Sequence, residues 1–398
     1  MPGPLSDYRI LELTTTVSGP MATMVLADQG ADVIKIEPPL LGDTCRYLGS
    51  SRNGIGAMFA VLNRNKRSLV LDLKGEADMA IFHKLVATAD VLLENYRPGV
   101  VNKLGIDYET LTKINPDLIY VSITGYGQSG PYETRKVYDP LIQASSGIAS
   151  EQDLGSPTNL RTIIFDKVTA LTAAQALTAA LLQREKTGKG QHLPISMLHS
   201  SLYYLWPDVM WSRTLQGEGI THAGELADYF QVFKAQDGFL SIILIGDPDF
   251  EAFCLWAGSE LHKDPRVLTL ADRIANAPFF QAEVDKLLAD KRTEDVCLEL
   301  DAMGIPVARV NTVDNVHEDP QVNHEHMLIE TDHPLIGAMR YPVPPFQLND
   351  QDEFPRLHAP SLGENSTEIL TELKIDPEEI ERLEKREATN RELLKEFV

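Results

Sequence analysis

Arg161-Thr-Ile-Ile-Phe-Asp-Lys-Val-Thr-Ala-Leu171 is the stretch from which the fold can be read, and it runs on without a break through Thr172–Arg184. Three apolar residues lead into one carboxylate, Asp166, and a long run of mainly Ala, Leu, Thr and Val follows. A segment that is apolar almost all round predicts a helix buried on every side. It is too short and too rich in Thr to cross a bilayer. We therefore expect Asp166 at or just before the N-terminus of a buried helix.

Two interpretations of Asp166 follow from that position. Its side chain could be a plain N-cap, which is the ordinary role of an aspartate at the start of a helix. Alternatively, the unpaired N–H groups and the dipole of a helix terminus could hold its charge in a dry place, where a carboxylate can do chemistry. The residues around Asp166 do not decide between the two.

Composition and charge limit the classes of function. The chain has 398 residues, enough for two or three domains, and 43% of them are hydrophobic, as in soluble globular proteins. Its net charge of −22 argues against general binding to nucleic acid or to anionic membranes. Three scattered cysteines, Cys45, Cys254 and Cys297, have no metal-ligand spacing and fit a reducing compartment. The N-terminal residues lack the features of a secretion signal, so we expect a cytoplasmic protein.

Short strands alternate with helices through the first part of the chain. This alternation predicts a parallel sheet covered on both faces, and ligands of such sheets bind at the carboxyl ends of the strands. We expect Asn63–Arg67, Glu94–Gly99 and Gly125–Pro131 at those ends. An acid at the end of the second predicted strand, Glu37, suggests a dinucleotide site, but the glycine fingerprint is missing, since the preceding loop offers Gly19 alone.

The predicted domain organisation has four parts. Residues 1–213 form a large Rossmann-like domain, 214–228 a linker and 229–325 a smaller α+β domain that begins with a hairpin around Asp237-Gly238. Residues 326–398 are interpreted as a second linker and a C-terminal return to the large domain.

Eight cations fall on the loops of the first domain: Arg64, Lys66, Arg67, Lys74, Arg97, Lys103, Arg135 and Lys136. In so acidic a chain this grouping favours a polyanionic ligand such as a nucleotide with several phosphates. Tyr138, close to the glycine-rich loop, could donate a hydrogen bond to a carbonyl or simply pack. The sequence shows no zinc motif, no serine-hydrolase elbow and no P-loop, so we expect no metal.

A set of motifs spread in register over nearly the whole chain resembles the family III coenzyme A (CoA) transferases, the CaiB/BaiF family. The motifs are Arg9–Leu13, Gly19-Pro20, Leu26–Pro38, Asn65–Leu69, Asp90–Gly99, Gly125–Gly127, Arg184–Gln191, Gly304–Pro306 and Ala359–Glu364. Members of that family include formyl-CoA transferase, carnitine CoA transferase and α-methylacyl-CoA racemase.

The resemblance implies a fold, an assembly and a set of site residues. It implies a ring-shaped chain in an interlocked homodimer, with Asp166 at the place of the catalytic aspartate. CoA or acyl-CoA would be a substrate, with no permanently bound cofactor. By position, the resemblance assigns CoA contacts to Lys74, Asn95, Arg97, Lys103 and Lys136, and substrate contacts to Val17, Ser18, Tyr138 and Gly246.

The chain departs from the family pattern at three places. Formyl-CoA transferase has a basic residue where this chain has Pro38, and a run of glycines where this chain has Leu244–Asp249, which contains only Gly246. The second departure argues against a formyl or oxalyl substrate. The racemases carry a His-Asp pair where this chain has Tyr138-Asp139.

The predicted function is transfer of CoA from an acyl-CoA donor to a carboxylic acid, through an anhydride and then a thioester on Asp166. Two alternatives stay open. An acyl-CoA racemase needs a second base beside Asp166, and tyrosine, with an ordinary pKa near 10, suits that role poorly. A non-catalytic CoA-binding protein would not need an intact Asp166. The sequence does not identify the donor acyl group or the acceptor acid.

Overall fold

The computed structural model describes residues 3–152, 156–221, 225–346, 348 and 354–397. The chain folds as two units, one made of Met1–Tyr204 with His326–Val398 and the other of Leu205–Glu325. The larger unit is therefore built from both ends of the chain. The finer domain boundaries at residues 213, 228 and 325 stay predictions.

The strands of the described residues are numbered in chain order. They are β1 (Arg9–Leu13), β2 (Asp32–Glu37), β3 (Ser51–Arg52), β4 (Ile55–Gly56), β5 (Lys66–Val70), β6 (Val91–Glu94), β7 (Ile119–Thr124), β8 (Gln191–Ser196), β9 (Val232–Lys234), β10 (Phe239–Ile242), β11 (Val307–Arg309), β12 (Leu328–His333) and β13 (Gly337–Pro342).

The α-helices are numbered in the same way. They are α1 (Ser18–Asp28), α2 (Ala57–Leu62), α3 (Glu76–Val86), α4 (Val100–Leu104), α5 (Tyr108–Leu111), α6 (Asp139–Ser146), α7 (Ile164–Thr187), α8 (Met197–Leu205), α9 (Trp211–Thr214), α10 (Asp247–Trp256), α11 (Leu270–Ala275), α12 (Ala277–Leu288), α13 (Thr293–Ala302), α14 (Pro320–His324), α15 (Ser366–Glu372) and α16 (Pro377–Phe397).

Six parallel strands form the central sheet of the larger unit, in the order β5-β2-β1-β6-β7-β8. The predicted parallel sheet is thus confirmed. Counted along the chain, this is the order 3-2-1-4-5-6 of the doubly wound nucleotide-binding sheets. The order reverses between β1 and β6, which lie side by side with Leu13 opposite Glu94. In such sheets ligands bind just outside the carboxyl ends of the strands at this reversal.

Packing around the sheet positions two helices that matter for the site. Helices α1 and α7 pack against each other, which brings Ser18 at the start of α1 near Asp166 at the start of α7. On the sheet, one buried core cluster contains Leu11 and Leu92 of the strands together with Ile369 of α15 and Leu383 of α16. The C-terminal helices therefore share the hydrophobic core of the sheet.

Helix α7 differs from its prediction on one side. Ala170, Ala173 and Leu177 are buried, but Leu171 and Leu182 are 53% and 58% exposed. The prediction that α7 is buried on every side is wrong for the single chain, because the rest of the unit covers only one of its faces. Among the described helices, none is both long and apolar enough to cross a membrane.

Three further predictions have clear outcomes. The hairpin around Asp237-Gly238 is confirmed, since β9 and β10 of the smaller unit pair antiparallel. The expected placement of Asn63–Arg67 at the carboxyl end of a strand is wrong, because this segment leads into β5 at its amino end. The aromatic-rich segment Met197–Arg213 predicts one helix from its sequence, and this prediction is wrong, since α8 ends at Leu205 and α9 begins at Trp211.

Candidate active site

Asp166 is the third residue of α7, and its carboxylate faces the start of a second helix. It accepts hydrogen bonds from the hydroxyl and the backbone N–H of Ser18, the first residue of α1. The partial positive charge of a helix N-terminus favours an anion there. Asp166 is not the N-cap of its own helix, because that position belongs to Ile163, whose side chain makes no capping bond.

Asp139 caps α7 in place of the missing local side chain. Its Oδ2 accepts hydrogen bonds from the backbone N–H groups of Phe165 at 2.6 Å and Asp166 at 2.9 Å. Its Oδ1 accepts from Nε2 of Gln143 at 2.6 Å. Asp139 is buried and is the first residue of α6. Two carboxylates from different helices therefore lie next to each other at the start of α7.

The surroundings of Asp166 change its acidity. Burial, and then the negative charge of Asp139, raise the pKa of Asp166 to about 6, while the hydrogen bonds from Ser18 act in the opposite direction. A carboxylate with a raised pKa is more basic than an ordinary aspartate yet is still ionised at neutral pH.

The loop between β1 and α1 is fixed by side chains from two other segments. Asn95, directly after β6, accepts a hydrogen bond from the N–H of Thr15 at 3.0 Å and donates one to the carbonyl of Thr15 at 2.9 Å. Asp43 accepts from the N–H of Thr16 at 3.0 Å. Thr16 has a positive φ of 71°, which is uncommon away from glycine. These bonds hold the unusual loop that presents Ser18 to Asp166.

One glycine makes the close approach of this loop possible. A Cβ added to Gly19 would lie 2.2 Å from Cβ of Thr14, so any side chain there would push the loop away from α1.

Beneath the loop lies a buried network of charges. Glu12 accepts from Nζ of Lys35 at 2.6 Å and from Nζ of Lys66 at 2.8 Å, and all three side chains are buried. Burial alone would raise the pKa of Glu12, but the two ammonium groups outweigh it and lower the pKa to about 2. A neighbouring pair joins Glu37 to Arg46 at 2.7 Å. Glu37 is therefore committed to an internal ion pair, which removes the basis for a dinucleotide site.

A cavity of about 480 Å³ opens beside Asp166 at the carboxyl ends of the strands. Its walls come from the loop after β1, residues 95–98 after β6, the end of β7 and four residues of the next loop, Glu133, Arg135, Val137 and Tyr138, with Asp166 between them. It lies at the reversal of strand order, where ligands of doubly wound sheets bind. Five residues predicted for the site line this cavity: Ser18, Asn95, Arg97, Tyr138 and Asp166.

The remaining predicted site residues lie elsewhere. Lys74, Lys103 and Lys136 are exposed and are not among the described residues that line the cavity. Val17 is buried in a small apolar cluster. Gly246 belongs to the smaller unit, where it precedes α10.

Three of the eight predicted cations form buried or partly buried ion pairs. Arg64 pairs with Asp28, Lys66 with Glu12, and Arg67 with Asp32 and Glu372. These three serve the structure, and the interpretation of all eight as ligand-facing is wrong for them.

Arg97 and Arg135, in contrast, line the cavity. In the part of the chain that the structure describes, neither guanidinium has a hydrogen bond or an ion pair. Arg135 only stacks on the ring of Tyr132, with its guanidinium carbon 3.6 Å from the ring centroid.

Sequence reasoning missed the structural roles of Asp139, Asn95 and Asp43. A signal for Asp139 exists, because Asp139-Pro140 is a typical start of a helix. Its contact with a helix that begins at Ile164 has no counterpart in the sequence. As for metals, no group of three or more His, Cys, Asp or Glu side chains within the described ranges is arranged to hold an ion.

Comparison with known proteins gives the family. The family model "CoA-transferase family III" matches residues 5–366. The chain is 37% identical to acetyl-CoA:oxalate CoA-transferase of Acetobacter aceti, over 93% of this chain and 96% of that protein. It is 35% identical to succinyl-CoA:glutarate CoA-transferase of Mus musculus, over 96% and 89% of the two chains.

A solved structure agrees with these matches. The crystal structure of a CaiB/BaiF family protein from Brucella suis superposes with a TM-score of 0.82 at 32% identity, covering 94% of this chain and all of that one. The predicted family is confirmed, and with it the class of enzyme, a CoA transferase. This chain belongs to CoA-transferase family III.

Proposed function

We propose that this enzyme moves CoA from an acyl-CoA donor to a carboxylic acid acceptor, with Asp166 as the covalent carrier. The observation that carries the proposal is the position and the raised pKa of the Asp166 carboxylate. Its carboxylate lies on the wall of the cavity, is bonded to the N-terminus of α1 and has a raised pKa. A nucleophile needs a lone pair that is free to attack. A carboxylate in an ion pair is a weaker nucleophile, because the cation holds its lone pairs.

The first half of the reaction loads the enzyme. An Oδ of Asp166 attacks the thioester carbonyl, the C–S bond breaks and CoA leaves as its thiolate. The thiolate then attacks the Asp166 carbonyl of the resulting anhydride, which releases the donor acid and leaves CoA bound to Asp166 as a thioester.

The second half repeats these steps in reverse with the acceptor. The acceptor carboxylate attacks the Asp166 thioester to form a new anhydride and free thiolate. The thiolate attacks the acceptor carbonyl, which yields the acceptor's CoA thioester and restores the Asp166 carboxylate. Each attack on the Asp166 carbonyl places negative charge on an oxygen close to the N–H and hydroxyl of Ser18, which are donors for such charge.

The cavity supports an anionic substrate. Arg97 and Arg135 offer two guanidinium groups near Asp166, and guanidinium binds carboxylate or phosphate through paired hydrogen bonds. The two curated relatives are named for oxalate and glutarate, both dicarboxylic acids. We therefore assign a dicarboxylic acid as acceptor, one longer than oxalate because the departure at Leu244–Asp249 argues against an oxalyl substrate.

For CoA itself, we retain the predicted contacts Lys74, Asn95, Arg97, Lys103 and Lys136. Arg97 lies in the cavity and the three lysines are exposed, so each cation is accessible to a phosphate. Asn95 also shapes the site through the loop after β1, since the oxygen and the nitrogen of its side-chain amide both form hydrogen bonds with the backbone of Thr15. Contacts of the substrate with Val17, Tyr138 and Gly246 stay proposals.

We also retain the interlocked homodimer as the proposed assembly. Its support here is the uncovered apolar face of α7 together with Tyr203 of α8, which is 81% exposed. Large exposed apolar groups of this kind are typical of surfaces that a partner covers. The oligomeric state in solution tests this proposal.

The racemase alternative is less well supported. It requires a second base facing the α-carbon, and the described residues that line the cavity include no histidine. Asp139 is close, but its carboxylate is engaged by three hydrogen bonds.

Replacement of Asp166 tests the proposed function. Asp166→Asn keeps the shape of the side chain but cannot attack a thioester, so transfer should fall at least 10³-fold, as is usual when a covalent nucleophile is removed (roughly 10³ to 10⁶). Asp376→Asn is the matched control, because Asp376 accepts from the N–H of Glu378 at 2.9 Å ahead of α16. That variant should transfer CoA like the parent. Activity retained in Asp166→Asn would refute the mechanism.

A further inference from the structure

We propose that Asp139 is a positioning residue for the reaction, because it fixes the first turn of α7 and holds a second negative charge beside the nucleophile. The inference rests on the proposed role of Asp166. It concerns a residue that does not line the cavity and does not touch the reacting atoms.

The hydrogen bonds of Asp139 establish its positioning role. One oxygen accepts from two consecutive N–H groups of α7, those of Phe165 and of Asp166 itself. The start of α7 has no local cap, so these bonds replace it. Since the backbone of Asp166 is held directly, any movement of the Asp139 side chain moves the nucleophile.

The charge of Asp139 exceeds what a cap requires. Asparagine, serine and threonine cap helices about as well as aspartate does, and all are neutral. Asp139 is 1% exposed, and among the described residues it has no ion-pair partner. Hydrogen bonds and the start of α7 stabilise its carboxylate, but burying a charge without a cation costs more than burying a neutral cap, which points to a use of the charge beyond the cap.

That use follows from the movement of charge during the reaction. Before the reaction, Asp166 and Asp139 repel each other. When Asp166 attacks the thioester, its electron pair becomes the new C–O bond and the pair of the broken C–S bond leaves on sulfur. The negative charge thus moves from Asp166 to CoA, and the repulsion is relieved as the anhydride forms.

Other groups near Asp166 do not replace Asp139 in this role. Ser18 of α1 donates hydrogen bonds and stabilises the ionised form. The thiol of Cys45 is close enough to interact with Asp166, but burial raises its own pKa to about 12, so it is neutral at working pH.

The nearby charges on other elements are also accounted for. Lys35 and Lys66 are engaged by the carboxylates of the buried network. On the cavity side the charged groups are Arg97, Arg135 and Glu133, all exposed to solvent that screens them.

The test is the pH dependence of kcat/KM for the acyl-CoA donor in Asp139→Asn. The amide oxygen can still accept from α7, but the charge is gone. The acidic limb of the profile, which reports ionisation of Asp166, should move to lower pH by about 0.5 to 1 unit. Turnover above neutral pH should fall, but far less than in Asp166→Asn, because a less basic carboxylate is a weaker nucleophile.

Gln143→Met is the matched control. It removes a hydrogen bond to Asp139 without changing any charge, so it should lower thermal stability while the acidic limb stays at the pH of the parent. An acidic limb that does not move in Asp139→Asn, whatever happens to turnover, would show that Asp139 is only a structural cap.

A measurement on the parent protein keeps the inference testable if Asp139→Asn does not fold. Carboxyl-¹³C labelling of aspartate, with Asp166→Asn used to assign the signal, gives the titration of Asp166 directly. An Asp166 signal that titrates at the ordinary aspartate value of about 4 would overturn the inference.

The outcomes for the two proposals are distinct. An active Asp166→Asn would overturn the proposed function. An inactive Asp166→Asn with an unmoved acidic limb in Asp139→Asn would overturn only the role of Asp139.

Discussion

Glu12 and Asp166 are both carboxylates in the interior of the larger unit, and their surroundings are opposite. Glu12 lies between the ammonium groups of Lys35 and Lys66, which lower its pKa to about 2 despite burial. For Asp166, burial and the neighbouring carboxylate of Asp139 raise the pKa to about 6. The same functional group is therefore paired with cations at one place, and at the other it has no cation partner among the described residues.

This difference separates a structural carboxylate from a reactive one. Both oxygens of Glu12 are occupied, by the two lysines and by the hydroxyls of Thr14 and Thr23. Its electrons are committed to bonds that hold β1, β2 and β5 together. Asp166 receives hydrogen bonds from Ser18 only, among the described residues, and faces a cavity. The ionised Asp166 therefore lowers the stability of the folded protein, whereas the ion pairs of Glu12 add to it.

The largest expected effect comes from breaking the neutralised site. Glu12→Gln would leave the buried ammonium group of Lys66 without its ion-pair partner and Lys35 with Asp43 alone. Loss of a buried partner costs about 3 to 5 kcal/mol. We expect that loss in the free energy of unfolding by denaturant. Glu381→Gln is the control, since Glu381 pairs with Lys385 at 2.6 Å on the exposed face of α16 and should change stability by less than about 0.5 kcal/mol. Equal effects of the two variants would contradict the role given to Glu12.

Asp166→Asn, unlike Glu12→Gln, should raise the stability of the folded protein. The folded state raises the pKa of Asp166 from 3.8 to about 6, so its contribution to stability is present below pH 4 and lost as the pH rises through 6. The variant lacks this group, so its thermal midpoint should rise relative to the parent between pH 4 and pH 7. Midpoints of both proteins measured across that range check the sign. A variant that loses stability relative to the parent as the pH rises would show that Asp166 is compensated after all.

The smallest expected effect comes from the cations that accompany these carboxylates. Lys66 is neutralised inside the fold, whereas Arg97 and Arg135 line the cavity and have no ion-pair partner among the residues that the structure describes. Changing both arginines to Gln should weaken CoA binding roughly three- to tenfold and reduce its dependence on salt. Titration calorimetry at two salt concentrations measures both effects. Arg340→Gln, at an exposed arginine paired with Glu330, should leave them unchanged.

Much of the fold could be predicted because it depends on local patterns. Alternating strands and helices gave the parallel sheet, and Asp237-Gly238 gave the hairpin of the smaller unit. The pattern of α7 could not show that one of its apolar faces is left uncovered in a single chain. An apolar residue such as Leu171 looks the same in a sequence whether it packs inside the unit or faces outward.

The site was predictable only in part, and for a physical reason. Asp166 stood out because it is a lone carboxylate ahead of an apolar helix. The partners that set its chemistry, Ser18 and Asp139, come from distant parts of the sequence, and only the packing of α1, α6 and α7 brings them together. For the same reason Arg64, Lys66 and Arg67 looked like ligand-binding cations, since their carboxylate partners are remote in sequence.

The most direct test of the central claim is to trap the acylated carboxylate. The enzyme is incubated with succinyl-CoA and then treated with hydroxylamine, which converts an anhydride or a thioester of an aspartate into a hydroxamate. Peptide mass spectrometry should find the hydroxamate on Asp166, only when the acyl-CoA is present, and none on Glu12. A hydroxamate on another carboxylate, or turnover of that donor without any on Asp166, would contradict the account.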